Sequence, residues 1–133
     1  MENEFPMQLE SYFYIDTYIS PNPSFDNDKK ADCKNKISVL IKRERNRIYC
    51  AVNLELDTTV SKNYTYNYKI QNFGQFLVNE QLPEKTAKQL IKETGVPILI
   101  GAIRERLVLL TSNGPFPPIF LEPVLLDNIN YNN

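Results

Sequence analysis

Glu55 and Asp57 are the residues of this chain best placed for acid–base chemistry, because the alternation of a predicted strand puts both carboxylates on one face. Paired carboxylates can share the roles of general acid and general base. The sequence has no histidine, which removes the commonest general base and the commonest metal ligand. It also lacks a glycine-rich phosphate loop, a cluster of metal ligands and a nucleophile with a neighbouring base. We therefore interpret both carboxylates as solvated charges and expect no enzyme, no cofactor and no metal.

Size and composition are those of one globular domain covering residues 1–133. The net charge of -1 does not favour electrostatic binding to nucleic acid or anionic lipid. No apolar run approaches the ~18 residues of a membrane span, and the acidic start Met1-Glu2-Asn3-Glu4 does not resemble a signal peptide. Cys33 and Cys50 lack CxxC spacing and are expected to be free thiols. These features predict a cytoplasmic protein without membrane insertion.

Four segments alternate apolar and polar residues with a period of two, which is typical of half-buried strands. The first covers residues 7–19, and its apolar set is Met7, Leu9, Phe13, Ile15 and Ile19. The other three cover residues 36–42, 48–57 and 64–70. Short turns between the last three favour antiparallel pairing, because parallel strands need long crossovers. The sequence therefore predicts a four-stranded antiparallel sheet.

Two main helices are predicted after the sheet, which makes the fold class α+β. Pro83 suits the start of the first helix and Gly95 suits its C-cap. The second helix is predicted from Pro97 to about Ser112 and carries two apolar stripes. One stripe would pack on the sheet.

The second stripe of this helix consists of Ile98, Ala102 and Leu109. It predicts an interface with another copy of the chain. The alternative is that the chain's own C-terminal strap covers it, since four prolines between residues 115 and 123 hold that segment extended.

The segment from Arg104 onward reads Arg104-Glu105, then Gly114-x-Phe116-Pro117, then Leu121-x-Pro123-Val124 with Asp127 just after. These residues at this spacing resemble the C-terminal signature of the SecB-type protein-export chaperones. The order of elements, a four-stranded sheet followed by two helices, is also similar to SecB. Weaker matches lie upstream at Pro97, Ile48-Tyr49, Gly74, Phe76 and Pro21-Asn22.

The resemblance implies an ATP-independent holdase chaperone that binds unfolded or non-native polypeptides in hydrophobic grooves, for preprotein export or antitoxin protection. It implies a homo-oligomer, a dimer of dimers joined through sheet edges and the long helix. Matching positions place the client-binding residues at Ile37, Val39, Ile41, Tyr66, Tyr68, Ile70, Phe73, Phe76 and Ile129. Ordinary core packing is the alternative for each of them. We expect glutamate at both Tyr66 and Tyr68 to weaken client binding and leave the fold intact.

The partner is less clearly indicated. SecB-like proteins that deliver clients to SecA present an acidic sheet surface and a charged tail, whereas this chain has Asn67 and Lys69 in the corresponding strand and ends at Tyr131-Asn132-Asn133. These features argue against SecA and make an antitoxin the competing partner. A different class of function also stays open, namely an interaction module with a single specific protein partner and no general chaperone activity.

Overall fold

The computed structural model describes residues 6–121 and 129–132. Strands β1 (Met7–Pro21), β2 (Asn35–Glu44), β3 (Arg47–Leu56) and β4 (Tyr66–Val78) precede helix α1 (Glu84–Leu90), a π-helical turn (Ile91–Gly95), helix α2 (Val96–Thr111) and strand β5 (Asn130–Asn132). The sheet has the order β1-β4-β3-β2-β5. The first four strands pair antiparallel, and β5 pairs parallel to β2. The predicted α+β class is confirmed, and none of the described helices is long and apolar enough to cross a membrane.

The helices cover one face of the sheet, which we call the helix-covered face, and the other is the open face. Strands β2, β3 and β4 alternate strictly, so every second side chain enters the core beneath the helices. The first apolar stripe of α2 lies against them, as predicted. This core includes Ile48, Cys50, Val52, Leu54, Ile70 and Phe76 from the sheet, and Leu99, Ile103 and Leu107 from α2.

Strand β1 departs from the strict alternation that the sequence predicted. Its pairing with β4 shifts register between Leu9 and Ser11, and again between Tyr14 and Asp16. Each β-bulge adds one residue to β1 and so exchanges the faces to which the following side chains point. A pair of bulges cannot be read from β1 alone, because register is a property of two strands.

The bulges redistribute the apolar residues of β1 over both faces of the sheet. Met7 and Ile19 pack against the core, as predicted, and Tyr14 joins them on the helix-covered face. Phe13 and Ile15 are instead largely exposed. The prediction that these two residues share the buried face is therefore wrong.

The helices α1 and α2 form one continuous helical run instead of two separate helices. Gly95 has φ -68° and ψ -48°, which is right-handed helix and not the conformation of the predicted C-cap. The Val96 N–H donates to the Ile91 carbonyl five residues back, which makes this a π-type turn. The turn accommodates Pro97, which has no backbone N–H to donate, without breaking the helix. A side chain at position 95 would collide with Ile91 and crowd Phe76, whose Cζ would lie 3.1 Å from a Cβ. Glycine at this position therefore allows Ile91 and Phe76 to pack closely against the helix backbone.

The strap, residues 114–121, is tied to both α2 and β4. The Tyr66 hydroxyl accepts a bond from the Phe116 N–H and donates one to its carbonyl, each at 3.1 Å. The Arg104 guanidinium donates to the Leu121 carbonyl at 3.2 Å. The signature residues Pro123, Val124 and Asp127 lie outside the described residues. Tyr131 lies in β5.

Candidate functional site

Most of the predicted client-binding side chains lie in the core beneath the helices. They come from β2, β4 and the segment before β5, and the fully buried ones are Ile37, Val39, Tyr66, Tyr68, Ile70, Phe76 and Ile129. Ile41 is half-buried at the edge of the same cluster. Their binding role stays a prediction, and in this conformation they are covered by the chain's own residues.

The two buried tyrosines of β4 have satisfied hydroxyl groups. Tyr68 donates to the Asn35 side-chain oxygen, and burial raises the pKa of Tyr68 well above its usual range. Tyr66 is bonded to the strap at Phe116. Buried tyrosines with partnered hydroxyls are typical of a packed core. From this burial we now expect glutamate at these positions to destabilise the fold instead of leaving it intact.

Phe73 differs from the other predicted residues because it lies on the open face. Directly opposed positions of β1, β4, β3 and β2 place Phe13, Phe73, Ala51 and Leu40 in one line across the sheet. The Phe13 and Phe73 rings lie 5.3 Å apart at 31°, and Tyr49 stacks on Phe73 at 5.9 Å. Phe13 and Leu40 are each 55% exposed. We call these five residues the apolar row.

A cleft of 310 Å³ lies at the β2 end of the apolar row. Its apolar lining comes from Leu40, Tyr49, Ala51 and Phe73, all members of the row. Lys42 and Glu44 stand at its rim with their charged atoms 3.4 Å apart, so the charges largely compensate each other. Such a cleft suits an uncharged aliphatic or aromatic side chain.

Charges of both signs surround the apolar row on the open face. The Arg47 guanidinium bonds to the Glu10 carboxylate at 3.2 Å and lowers the pKa of Glu10. Lys36 approaches Glu55 at 3.5 Å, and Lys69 lies directly opposite Glu55 in the register of the sheet. Glu55 is thus a paired surface charge, as the solvated interpretation predicted.

A second apolar feature is a groove of 550 Å³ between β1 and α2. It is lined by the predicted interface residues Ile98, Ala102 and Leu109, together with Tyr12 and Tyr14, and the charged residues Glu105 and Arg106 also line it. The Tyr14 hydroxyl donates to the Ala102 carbonyl at 3.0 Å, and this bond holds the Tyr14 side chain against α2 at the base of the groove. Leu109 is 66% exposed. In the described part of the chain the strap therefore leaves this stripe uncovered.

No protein-family model matches the chain, and no curated protein matches it significantly. Solved structures do match. One is a SecB-like chaperone of Mycobacterium tuberculosis in complex with a ChAD peptide from the HigA1 antitoxin, with a TM-score of 0.71 and 13% identity over 90% of this chain and 91% of that one. The chain has a SecB-like fold. A Streptococcus agalactiae protein of unknown function shares 10% identity at a TM-score of 0.54, over 87% of this chain and 96% of that one.

The SecB-like fold confirms the resemblance that the C-terminal signature indicated. Of the apolar row, in contrast, only Phe73 was predicted from the sequence as a binding residue. Tyr49 and Ala51 sit at the polar positions of the third strand, and an aromatic residue at a polar position was the available signal. Phe13 could not be found in this way, because its face depends on the first β-bulge.

Proposed function

We propose that this protein is a holdase chaperone that binds non-native polypeptides without nucleotide and without a catalytic step. The apolar row carries this proposal, because it exposes aromatic and aliphatic side chains in line across four strands beside an apolar cleft. Aromatic side chains offer large contact areas at a low entropy cost, which suits the short apolar segments of unfolded chains. The SecB-like neighbour, solved with an antitoxin peptide, supports a protein-binding role.

The strength of a single contact on this surface is modest. Complete burial of a leucine or phenylalanine side chain contributes about 1.5–3 kcal/mol, and part of the surface of Phe13 and Leu40 is already covered before a client binds. One apolar row therefore gives weak binding, which allows release without an energy source. Several rows on one oligomer would bind a long unfolded chain more tightly through effective concentration.

The test is the aggregation of a chemically unfolded protein, followed by light scattering after dilution with and without this chain. Suppression at near-stoichiometric amounts, in the absence of nucleotide, is the expected result. A folded protein that suppresses nothing would contradict holdase activity. That outcome would favour the module with a single specific partner, to be sought by capture from the native host.

We further propose that the groove between β1 and α2 is where copies of the chain meet as a dimer of dimers. Its exposed stripe, represented by Leu109, is an unpaired apolar surface next to the long edge strand β1. Edge strands that expose apolar side chains favour association.

Leu109→Asp is expected to lower the mass of the protein in solution from that of a tetramer to that of a smaller assembly. A carboxylate placed against its symmetry mate would have to be desolvated in the interface. Light scattering coupled to gel filtration measures the mass. Val60→Asp, at a similarly exposed valine in the turn after β3, is the matched control. Wild-type mass for Leu109→Asp would remove this groove as the interface.

Regarding the partner, the paired charges of the open face favour an antitoxin-type client over SecA in our proposal. Lys69 lies opposite Glu55, so this face is not uniformly acidic. We place the protein in the cytoplasm. Both of its cysteines are free thiols, which fits a reducing compartment.

A further inference from the structure

Strand β5 occupies a small part of a long sheet edge. β2 is ten residues long, but β5 pairs with three of them, Ser38 to Leu40, through Asn130 to Asn132. The pairing is parallel, which is slightly less stable per residue than antiparallel pairing. In the described part of the chain, the edge of β2 beyond Leu40 has no strand beside it.

Among the described residues, two side chains anchor β5. Ile129, just before the strand, is buried in the core. Tyr131 is half-buried, with the Lys92 ammonium 4.4 Å from its ring centroid. The buried Tyr131 hydroxyl has no hydrogen-bond partner among the described residues, which weakens the hold of this side chain on the core. Ile129 is well packed, whereas the Tyr131 hydroxyl has no partner among the described residues, so β5 can be displaced from β2.

The path of β5 along β2 leads to two further binding features. A crevice of 30 Å³ follows on the helix-covered side, lined by Ile41, Ile48, Ala87 and Ile91, with Arg43, Glu84 and Lys88 also around it. The cleft of the open face begins on the other side at Leu40 and Lys42. Successive side chains of an extended strand point to opposite faces. A strand longer than β5 would therefore reach both features.

We propose that β5 is an internal competitor of bound polypeptide. An extended client segment displaces it and pairs in parallel with β2 from Ser38 to Lys42. Its alternate side chains take the places of Ile129 and Tyr131 and lie beside Ile41 at the mouth of the crevice, whose 30 Å³ is about the volume of one water molecule. This inference rests on the proposed function and adds the mode of binding. Backbone pairing at a sheet edge tolerates many sequences. The apparent association constant equals the intrinsic one multiplied by the fraction of molecules in which β5 is displaced, so a firmly held β5 weakens binding.

The inference is tested by locking β5 onto β2 with a disulfide. Ser38→Cys and Asn130→Cys are directly paired positions of adjacent strands, whose Cα separation of about 4.8 Å suits a disulfide. Cys33→Ser removes the exposed native thiol. Cys50 stays reduced, because it is fully buried and burial raises the pKa of its thiol from 9.0 to about 12. Copper phenanthroline serves as the oxidant, and dithiothreitol reverses the lock.

The probe is a fluorescein-labelled peptide, Ile-Asn-Tyr-Asn-Val-Ser, which repeats the sequence from Ile129 to Asn132 and places valine opposite Ile41. We expect the oxidised protein to bind it about tenfold more weakly than the reduced protein by fluorescence anisotropy, a change of about 1.4 kcal/mol. Tyr131→Ala, which loosens β5, is expected to bind it more tightly than wild type. A peptide with aspartate in place of valine should bind less well than the probe.

Equal binding before and after reduction would overturn the inference, as would a disulfide that joins two chains on a non-reducing gel. If the reduced protein does not bind the peptide but still suppresses aggregation, strand addition at β2 is wrong and the proposed function stands. If the reduced protein binds neither the peptide nor an unfolded protein, the proposed function fails as well.

Discussion

Tyr68→Glu is expected to prevent the chain from reaching a stable fold at neutral pH. The Tyr68 side chain is 3% exposed and its hydroxyl donates to Asn35. Glutamate would bury a carboxylate without a cationic partner, and an unpaired buried charge costs about 3–5 kcal/mol. Total stabilities are about 5–15 kcal/mol, so this is a large share of the folding free energy. Urea unfolding followed by circular dichroism measures the loss.

The matched control is Tyr18→Glu, the same replacement on the other face of the sheet. Tyr18 is 50% exposed on the open face and lies directly opposite Lys69. The free energy of unfolding should change by no more than about 0.5 kcal/mol. A cooperative, wild-type transition for Tyr68→Glu would mean that this position is accessible in solution, and would return Tyr68 to the client-contacting residues.

Leu40→Glu is expected to weaken the binding of unfolded polypeptide about tenfold or more, which corresponds to about 1.4 kcal/mol. Leu40 is 55% exposed, ends the apolar row at β2 and lines the open-face cleft. A carboxylate there would lose hydration whenever an apolar client side chain enters the cleft. The stability of the protein should change little, because the position is exposed. Anisotropy of a labelled, permanently unfolded protein measures the affinity.

Val60→Glu is the control for this experiment. Val60 is 52% exposed in the turn after β3 and is not part of the apolar row or the cleft. Its variant has the same change in charge and should bind the unfolded protein as wild type does. If Leu40→Glu also binds as wild type does, or if both variants lose affinity equally, the apolar row is not the client surface.

The strands β2, β3 and β4 could be predicted because their signal is local. A period of two in apolar residues survives in the structure wherever one face of a strand is buried, as at Ile48, Cys50 and Val52. The boundary between the two predicted helices could not be obtained in the same way. Gly95 has the residue type of a C-cap, but it is needed for close contact with Ile91 and Phe76. Residue type alone does not distinguish these two uses of glycine.

The predicted binding residues show a similar ambiguity. The sequence pattern of an apolar strand face is the same whether the chain's own residues or a client cover that face. Ile37, Tyr66 and Ile70 are buried by the chain's own residues in this structure. Phe73 reaches the open face, and its neighbours in the apolar row come from three other strands. No pattern of neighbouring residues in the sequence can identify side chains that come together from four different strands.

By itself, the sequence determined the α+β class, the antiparallel strands, the amphipathic long helix and the resemblance to SecB. Each of these depends on periodicity or on residues close together along the chain. The tertiary structure alone decided which apolar side chains stay exposed, as Phe13 and Leu40 do, and which are buried, as Tyr68 is. Exposure depends on what packs against a residue from distant parts of the chain. In β1 it also depends on two bulges, which exist only in relation to β4.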